Sequence, residues 1–172
     1  ERKTMDMVTL TIDGIKVEAP KNSTVLEAAR KAGIKIPTLC FLKGVNEIGA
    51  CRMCVVEVKG ARSLQTSCVL PVSEGMEVIT NSPAVRESRK VTLELLLSDH
   101  NLECPTCIRN LNCELQTLAE ELGIQSIRYP GVKSKAQYDD FSPSIVRDTS
   151  KCILCRRCVS TCHNVQSVGV IS

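Results

Sequence analysis

Eleven cysteines in 172 residues, set out along the chain as four, three and four, constrain this chain more than any other feature. The first group is Cys40, Cys51, Cys54 and Cys68, the second Cys104, Cys107 and Cys113, and the third Cys152, Cys155, Cys158 and Cys162. His100 completes the middle group as H-x3-C-x2-C-x5-C, so no cysteine is left over. Soft and borderline donors this close together, joined by turn-forming residues, can wrap a metal centre. A chain built this way folds as small units, each organised around a ligand loop.

Composition decides between the two ways of stapling such units. Phe41, Tyr129, Tyr138 and Phe141 are the only aromatics and Trp is absent, so the core is aliphatic and divided. Thin cores need disulfides or metals. The charged start Glu1-Arg2-Lys3 leads straight into a strand pattern and is no secretory leader. Recurrent Cys-x2-Cys pairs then favour metal thiolates in a reducing, cytoplasmic setting over cystines. A disulfide-rich secreted domain is the alternative, and it would unfold in reductant while ignoring chelators. No apolar run approaches membrane-spanning length, so membrane insertion is not expected. The formal charge of +3 is spread among scattered basic residues without aromatic stacking platforms, which excludes a nucleic-acid binder.

Along the chain, Val8–Ile12 and Ile15–Glu18 alternate around Asp13-Gly14, the pattern of a tight β-hairpin. Thr24 and Glu27 form a capping box for a helix that stops at Gly33. Residues 55–58, 63–66 and 76–79 read as short strands. Ser82 and Pro83 open a second helix carrying Val85, Val91, Leu95, Leu96 and Leu97, and after the His/Cys loop Leu111, Leu115, Leu118 and Leu122 repeat at helical spacing up to Gly123. Residues rich in Gly, Ser and Pro up to Pro143 read as a linker, and Ile145-Val146-Arg147 as a short strand. The fold class is α+β.

Each ligand set carries its own chemistry. The third, C-x2-C-x2-C-x3-C, is the run of bacterial ferredoxins: three thiolates reach one 4Fe–4S cube and the fourth serves a neighbouring cluster. No second run follows before Ser172, and His163 stands where Pro is usual. Either Cys162 closes its own cluster, or the ferredoxin unit is truncated and the helix after Cys162 lacks its packing partner; truncation is the expectation. The first set, Cys40-x10-Cys51-x2-Cys54-x13-Cys68, follows plant-type 2Fe–2S logic with a longer first gap, and Gly49 and Ala50 allow amides to approach sulfides. The middle set taken alone suits zinc as well as a cluster. Histidine in place of a thiolate removes a negative charge and would raise a cluster's potential. His163 reads as a solvated residue, and Lys151, Arg156 and Arg157 as a solvated face.

The order of these motifs resembles the N-terminal iron–sulfur region of multimeric, NAD(P)-linked iron-only (FeFe) hydrogenases, shared with the large iron–sulfur subunit of respiratory complex I and NAD-linked formate dehydrogenases. The resemblance rests on Ser98-Asp99-His100-x3-Cys104-Pro105-Thr106-Cys107, Asn112-Cys113-Glu114-Leu115-Gln116, and Pro143–Asp148 before Cys152-Ile153-Leu154-Cys155. It implies a β-grasp 2Fe–2S ferredoxin domain over 1–82, a helical His-ligated 4Fe–4S domain over 83–128, a linker over 129–143, and the first half of a dicluster ferredoxin domain over 144–172. It assigns Cys40, Cys51, Cys54 and Cys68 to the 2Fe–2S cluster, and His100, Cys104, Cys107 and Cys113 to a 4Fe–4S cluster. Cys152, Cys155 and Cys158 go to another 4Fe–4S cluster, with Cys162 on the one beyond or closing the same one.

The resemblance further implies an electron relay belonging to an oxidoreductase, with no catalytic residue in this stretch and an H-cluster only beyond Ser172. A Gly-rich dinucleotide fingerprint is absent, so nicotinamide and flavin belong to another subunit. Expected partners are a flavin/NAD(P)H-binding subunit and a thioredoxin-like 2Fe–2S subunit, or ferredoxin. The same relay serving a molybdenum formate dehydrogenase or a complex I-like subunit is the near alternative. A zinc-stapled interaction module is the distant one.

Overall fold

The computed structural model describes residues 6–171. Strands β1 (Met7–Ile12) and β2 (Ile15–Pro20) pair antiparallel with Ile12 opposite Ile15, and Asp13 and Gly14 both take positive φ, as the two-residue hairpin turn requires. After them come α1 (Val25–Lys31), β3 (Val55–Val58), β4 (Gln65–Thr66) and β5 (Glu77–Ile79). Together the strands form a mixed five-stranded sheet of order β2-β1-β5-β3-β4, with β1 and β5 parallel.

Helix α1 begins where the sequence says it should. The Thr24 hydroxyl accepts from the Glu27 N–H at 3.3 Å, and the Glu27 carboxylate accepts from the Thr24 N–H at 3.1 Å. Its buried face, Val25, Leu26, Ala28 and Ala29, packs with Leu10, Ile12, Val56 and Val78 of the sheet in one aliphatic core. Cys54 and Cys68 belong to that core, so ligand positions are anchored by the packing.

Helix α2 spans Pro83–Asp99, and the Ser82 hydroxyl accepts from the Val85 N–H at 3.3 Å. Its buried stripe differs from the apolar pattern expected. Val85, Arg89, Leu93 and Leu97 are buried, with Glu94, whereas Leu95 is exposed. Spacing of four along one helix face, rather than side-chain polarity, selects these positions.

Helix α3 spans Glu114–Glu121 and buries Leu115 and Leu118. Leu111 lies outside it with φ +61° and is exposed, its N–H donating to Gln116 Oε1 at 2.9 Å. Residues 129–143 are more than a linker. Tyr138–Asp139 forms β6, paired antiparallel with β7 (Arg147–Asp148), and Ser134 binds the Asp99 carboxylate through its N–H (2.5 Å) and hydroxyl (2.7 Å). The expected strand at Ile145-Val146-Arg147 is shifted, because both apolar residues are exposed and pairing starts at Arg147 opposite Asp139. The strand at 63–66 shortens in the same way to Gln65–Thr66.

The chain divides into two compact units, one holding the described residues up to Arg89 together with those from Arg156 onward, the other Lys90–Cys155. Residues 157–165, as α4 (Arg157–Ser160) and a π-turn (Thr161–Val165), dock on the first unit: Arg157 Nη2 donates to the Phe41 carbonyl at 3.2 Å, Ser160 Oγ to Asn46 Oδ1 at 2.7 Å, and Asn164 Nδ2 to the Val45 carbonyl at 3.2 Å. The segment around Cys162 therefore does find a packing partner, and Arg157 is half-buried rather than part of a solvated face. No helix among the described residues is long and apolar enough to cross a membrane.

Candidate metal centres

None of the eleven cysteines forms a disulfide. In the first unit Cys40, Cys54 and Cys68 are buried, each 1% exposed, and Cys51 is half-buried. They gather as two pairs. Cys40 N–H donates to Cys51 Sγ at 3.4 Å, and the two thiols are themselves hydrogen-bonded. The backbone of Cys51 and Ala50 favours the Cys40 thiolate. Burial pushes the Cys40 thiol up. In the second pair the Cys68 thiol donates to Cys54, which lowers Cys54 to about 6 and raises Cys68, burial adding to the latter.

The long gap between Cys40 and Cys51 is built, not slack. Leu42 and Asn46 form an isolated antiparallel bridge around Gly44, and buried Asn46 donates to the Cys40 carbonyl at 2.7 Å. Gly49 takes φ +63°, and a Cβ there would meet Val69 at 3.3 Å, so the loop needs glycine for both conformation and space. Arg52, between Cys51 and Cys54, is held at φ +58° with its guanidinium hydrogen-bonded to Thr66 Oγ1.

In the second unit Cys104, Cys107 and Cys113 are half-buried and line, with His100, one cavity of about 800 Å³. Its walls are Leu97, Leu102, Leu115 and Ala119, and both cations (Arg109, Lys151) and carboxylates (Glu120, Asp148) line it, Lys151 pairing with Asp148 at 3.7 Å. His100 Nδ1 is buried and has no hydrogen-bond partner. An orphaned imidazole nitrogen costs free energy unless something ligates or bonds it. Arg109 N–H donates to Cys107 Sγ at 3.5 Å. Among the described residues no three His, Cys, Asp or Glu side chains are gathered as for a single metal ion, so these donors stand apart around a cavity.

The third set is seen only in parts, Cys152 and Cys155 in the second unit and Cys158 and Cys162 in the first. Leu154 N–H donates to Cys152 Sγ at 3.4 Å, and both Leu154 and Arg156 are left-handed, at φ +54° and +61°. Buried Cys162 is held low by the amides of Ile171, Val170 and Gly169, which stabilise its thiolate. His163 is exposed, its Nδ1 3.1 Å from Asn164 Oδ1. Among the described residues, four of the six non-glycine positions with positive φ (Arg52, Leu111, Leu154 and Arg156) lie inside cysteine loops, where such turns aim successive amides at a bound anion.

These donor sets suit iron–sulfur clusters: thiolates in pairs or around a cavity, amides directed at sulfur, and an imidazole with a free nitrogen. The fold and its loops define an iron–sulfur scaffold of the ferredoxin kind. Residues 5–83 match the 2Fe-2S iron-sulfur cluster binding domain, and residues 89–128 the NADH-ubiquinone oxidoreductase-G iron-sulfur binding region.

The NADP-reducing hydrogenase subunit HndD of Solidesulfovibrio fructosivorans is 48% identical over 173 residues, covering 98% of this chain and 30% of that protein. The NADH-ubiquinone oxidoreductase 75 kDa subunit of Reclinomonas americana is 36% identical over 162 residues, covering 94% and 23%. A crystal structure of an NAD+-reducing [NiFe]-hydrogenase in the H2-reduced state superposes with a TM-score of 0.87 at 34% identity, over 94% of this chain and 68% of that one. The chain belongs to this family, as an iron–sulfur electron-transfer region of the kind found in NAD(P)-linked hydrogenases and in the NADH-ubiquinone oxidoreductases. It spans less than a third of the length of the curated relatives named here.

Three contributors escaped sequence reasoning. Asn46, Glu94 and Arg89 are polar residues buried to 1%, 1% and 6% exposure. Only Arg89 had a sequence signal, its place four residues from Val85 and from Leu93.

Proposed function

We propose that this chain relays electrons in an NAD(P)-linked iron-only hydrogenase, between partner redox subunits and a catalytic H-cluster domain carried elsewhere in the parent protein. Iron–sulfur clusters supply reversible one-electron transfer with little rearrangement. The chain's own residues fix where the clusters sit and what surrounds them. Cys40, Cys51, Cys54 and Cys68 hold a 2Fe–2S cluster, and His100, Cys104, Cys107 and Cys113 a 4Fe–4S cluster. Cys152, Cys155 and Cys158 hold another, in a partial ferredoxin-like unit where Cys162 serves a neighbouring cluster. The partners are a flavin/NAD(P)H-binding subunit with a thioredoxin-like 2Fe–2S subunit, or ferredoxin, in the cytoplasm.

The observation that carries this reading is the buried, unpartnered His100 Nδ1 beside a cavity that it shares with three cysteines. The likeness to HndD along nearly the whole chain supports the hydrogenase parent. The likeness to the 75 kDa subunit of an NADH-ubiquinone oxidoreductase favours, as second reading, the same relay in a complex I-like enzyme. His100→Cys tests the assignment. It should keep a 4Fe–4S cluster and lower its potential, since a thiolate adds negative charge. An EPR-monitored redox titration identical to wild type would remove His100 from the ligands.

A further inference from the structure

Arg89 stands on the apolar stripe of α2, between Val85 and Leu93, and is 6% exposed. Its Nη2 donates to the Val55 carbonyl at 2.7 Å, while its Nε is buried without a partner. Val55 directly follows Cys54, so the guanidinium lies beside the first ligand loop. A buried cation is costly unless an anion answers it. Asp13 is not ion-paired with it: its carboxylate is hydrogen-bonded instead by the Thr80 N–H (2.7 Å) and hydroxyl (2.5 Å). Burial pushes the guanidinium below its ordinary pKa.

We propose that Arg89 is the buried counter-charge of the 2Fe–2S cluster and raises its reduction potential. The inference rests on the reading that Cys54 ligates such a cluster. Reduction adds one electron from an external donor, breaks no bond, takes up no proton and makes the cluster one charge more negative. A fixed positive charge nearby, screened only by protein, favours that reduced state. Arg89 acts through the field at the cluster and is a positioning residue rather than a ligand.

The experiment is a dithionite redox titration, followed by EPR, of the anaerobically prepared chain carrying its clusters, alongside Arg89→Gln and Arg89→Lys. Gln keeps a donor for the Val55 carbonyl and loses the charge; Lys keeps the charge. Arg89→Gln should shift the 2Fe–2S reduction equilibrium toward oxidised by about tenfold, 59 mV for one electron. Arg89→Lys should stay close to wild type, and the 4Fe–4S signals should not move in either. Arg89→Gln with full iron and sulfide but an unshifted 2Fe–2S potential overturns the proposal and leaves the cluster reading intact. If Arg89→Gln cannot hold the cluster, retention in Arg89→Lys supports the charge, and loss in both overturns it in favour of a purely structural bond to Val55. Wild-type protein without a 2Fe–2S signal would instead sink the underlying reading.

Discussion

The two best-defined ligand sets are built by opposite means. In the first, Cys40, Cys54 and Cys68 are core residues, paired through hydrogen bonds and locked by Asn46 and Gly49 into a sheet-and-helix unit. In the second, Cys104, Cys107 and Cys113 line a cavity on a short 3₁₀ turn and loop between two helices, with Ile108 and Leu111 almost fully exposed. One site is arranged by a hydrophobic core that includes two of its ligand residues, Cys54 and Cys68. The other holds its half-buried cysteines on a loop whose own apolar residues face outward, so its metal has to do more of the organising. Fold and cofactor thus trade places as scaffold within a single chain.

The largest effects separate these two modes. Cys54→Ser should abolish the 2Fe–2S EPR signal and also lower the melting temperature, because the residue is a core contact as well as a ligand. Cys107→Ser should remove only its own 4Fe–4S signal, with the first unit melting as before. Equal thermal losses in the two variants would erase the contrast.

Within the second unit, where Leu93, Leu97, Leu115 and Leu118 are buried, Glu94 is 1% exposed and paired with Arg128 Nε at 2.7 Å. Glu94→Ala removes a buried carboxylate from Arg128, whose side chain is 45% exposed, and should cost about 1–2 kcal/mol in chemical denaturation. An effect within error would mean that the ion pair contributes nothing to this unit's stability. In the first unit, Gly49→Ala should cost about 1–2 kcal/mol, from the left-handed backbone and the close Val69 contact, and should lower cluster occupancy in an iron assay. Unchanged occupancy would show the loop to be more pliant than its packing suggests.

The smallest effect concerns Glu27, whose carboxyl is held below the usual glutamate range by the Thr24 backbone bond and then Lys43. A depressed folded pKa contributes stability that is complete above the ordinary glutamate value and is lost as pH falls through the folded value. Glu27→Gln should therefore destabilise by about 0.5 kcal/mol near neutral pH, with the difference shrinking in acid. A difference that grew in acid would contradict the capping geometry.

Local chemistry made much of this legible. The Asp13-Gly14 hairpin, the Thr24–Glu27 capping box and Ser82-Pro83 each have short-range causes and lie where the sequence puts them. Long-range partners were not legible. Tyr138–Asp139 is a strand only because Arg147–Asp148 pairs with it, and nothing in residues 129–143 announces that. The docking of Arg157 and Ser160 on the Phe41–Asn46 loop likewise joins residues more than a hundred positions apart. Arg89 and Glu94 were hidden for another reason: reading apolar residues as the buried face overlooks buried charge.

The most direct test is iron and acid-labile sulfide content, with low-temperature EPR of the anaerobically purified, dithionite-reduced chain. The account predicts sulfide together with iron, a slowly relaxing 2Fe–2S signal and fast-relaxing 4Fe–4S signals. Zinc without sulfide would contradict it and leave a stapled scaffold with no electrons to carry.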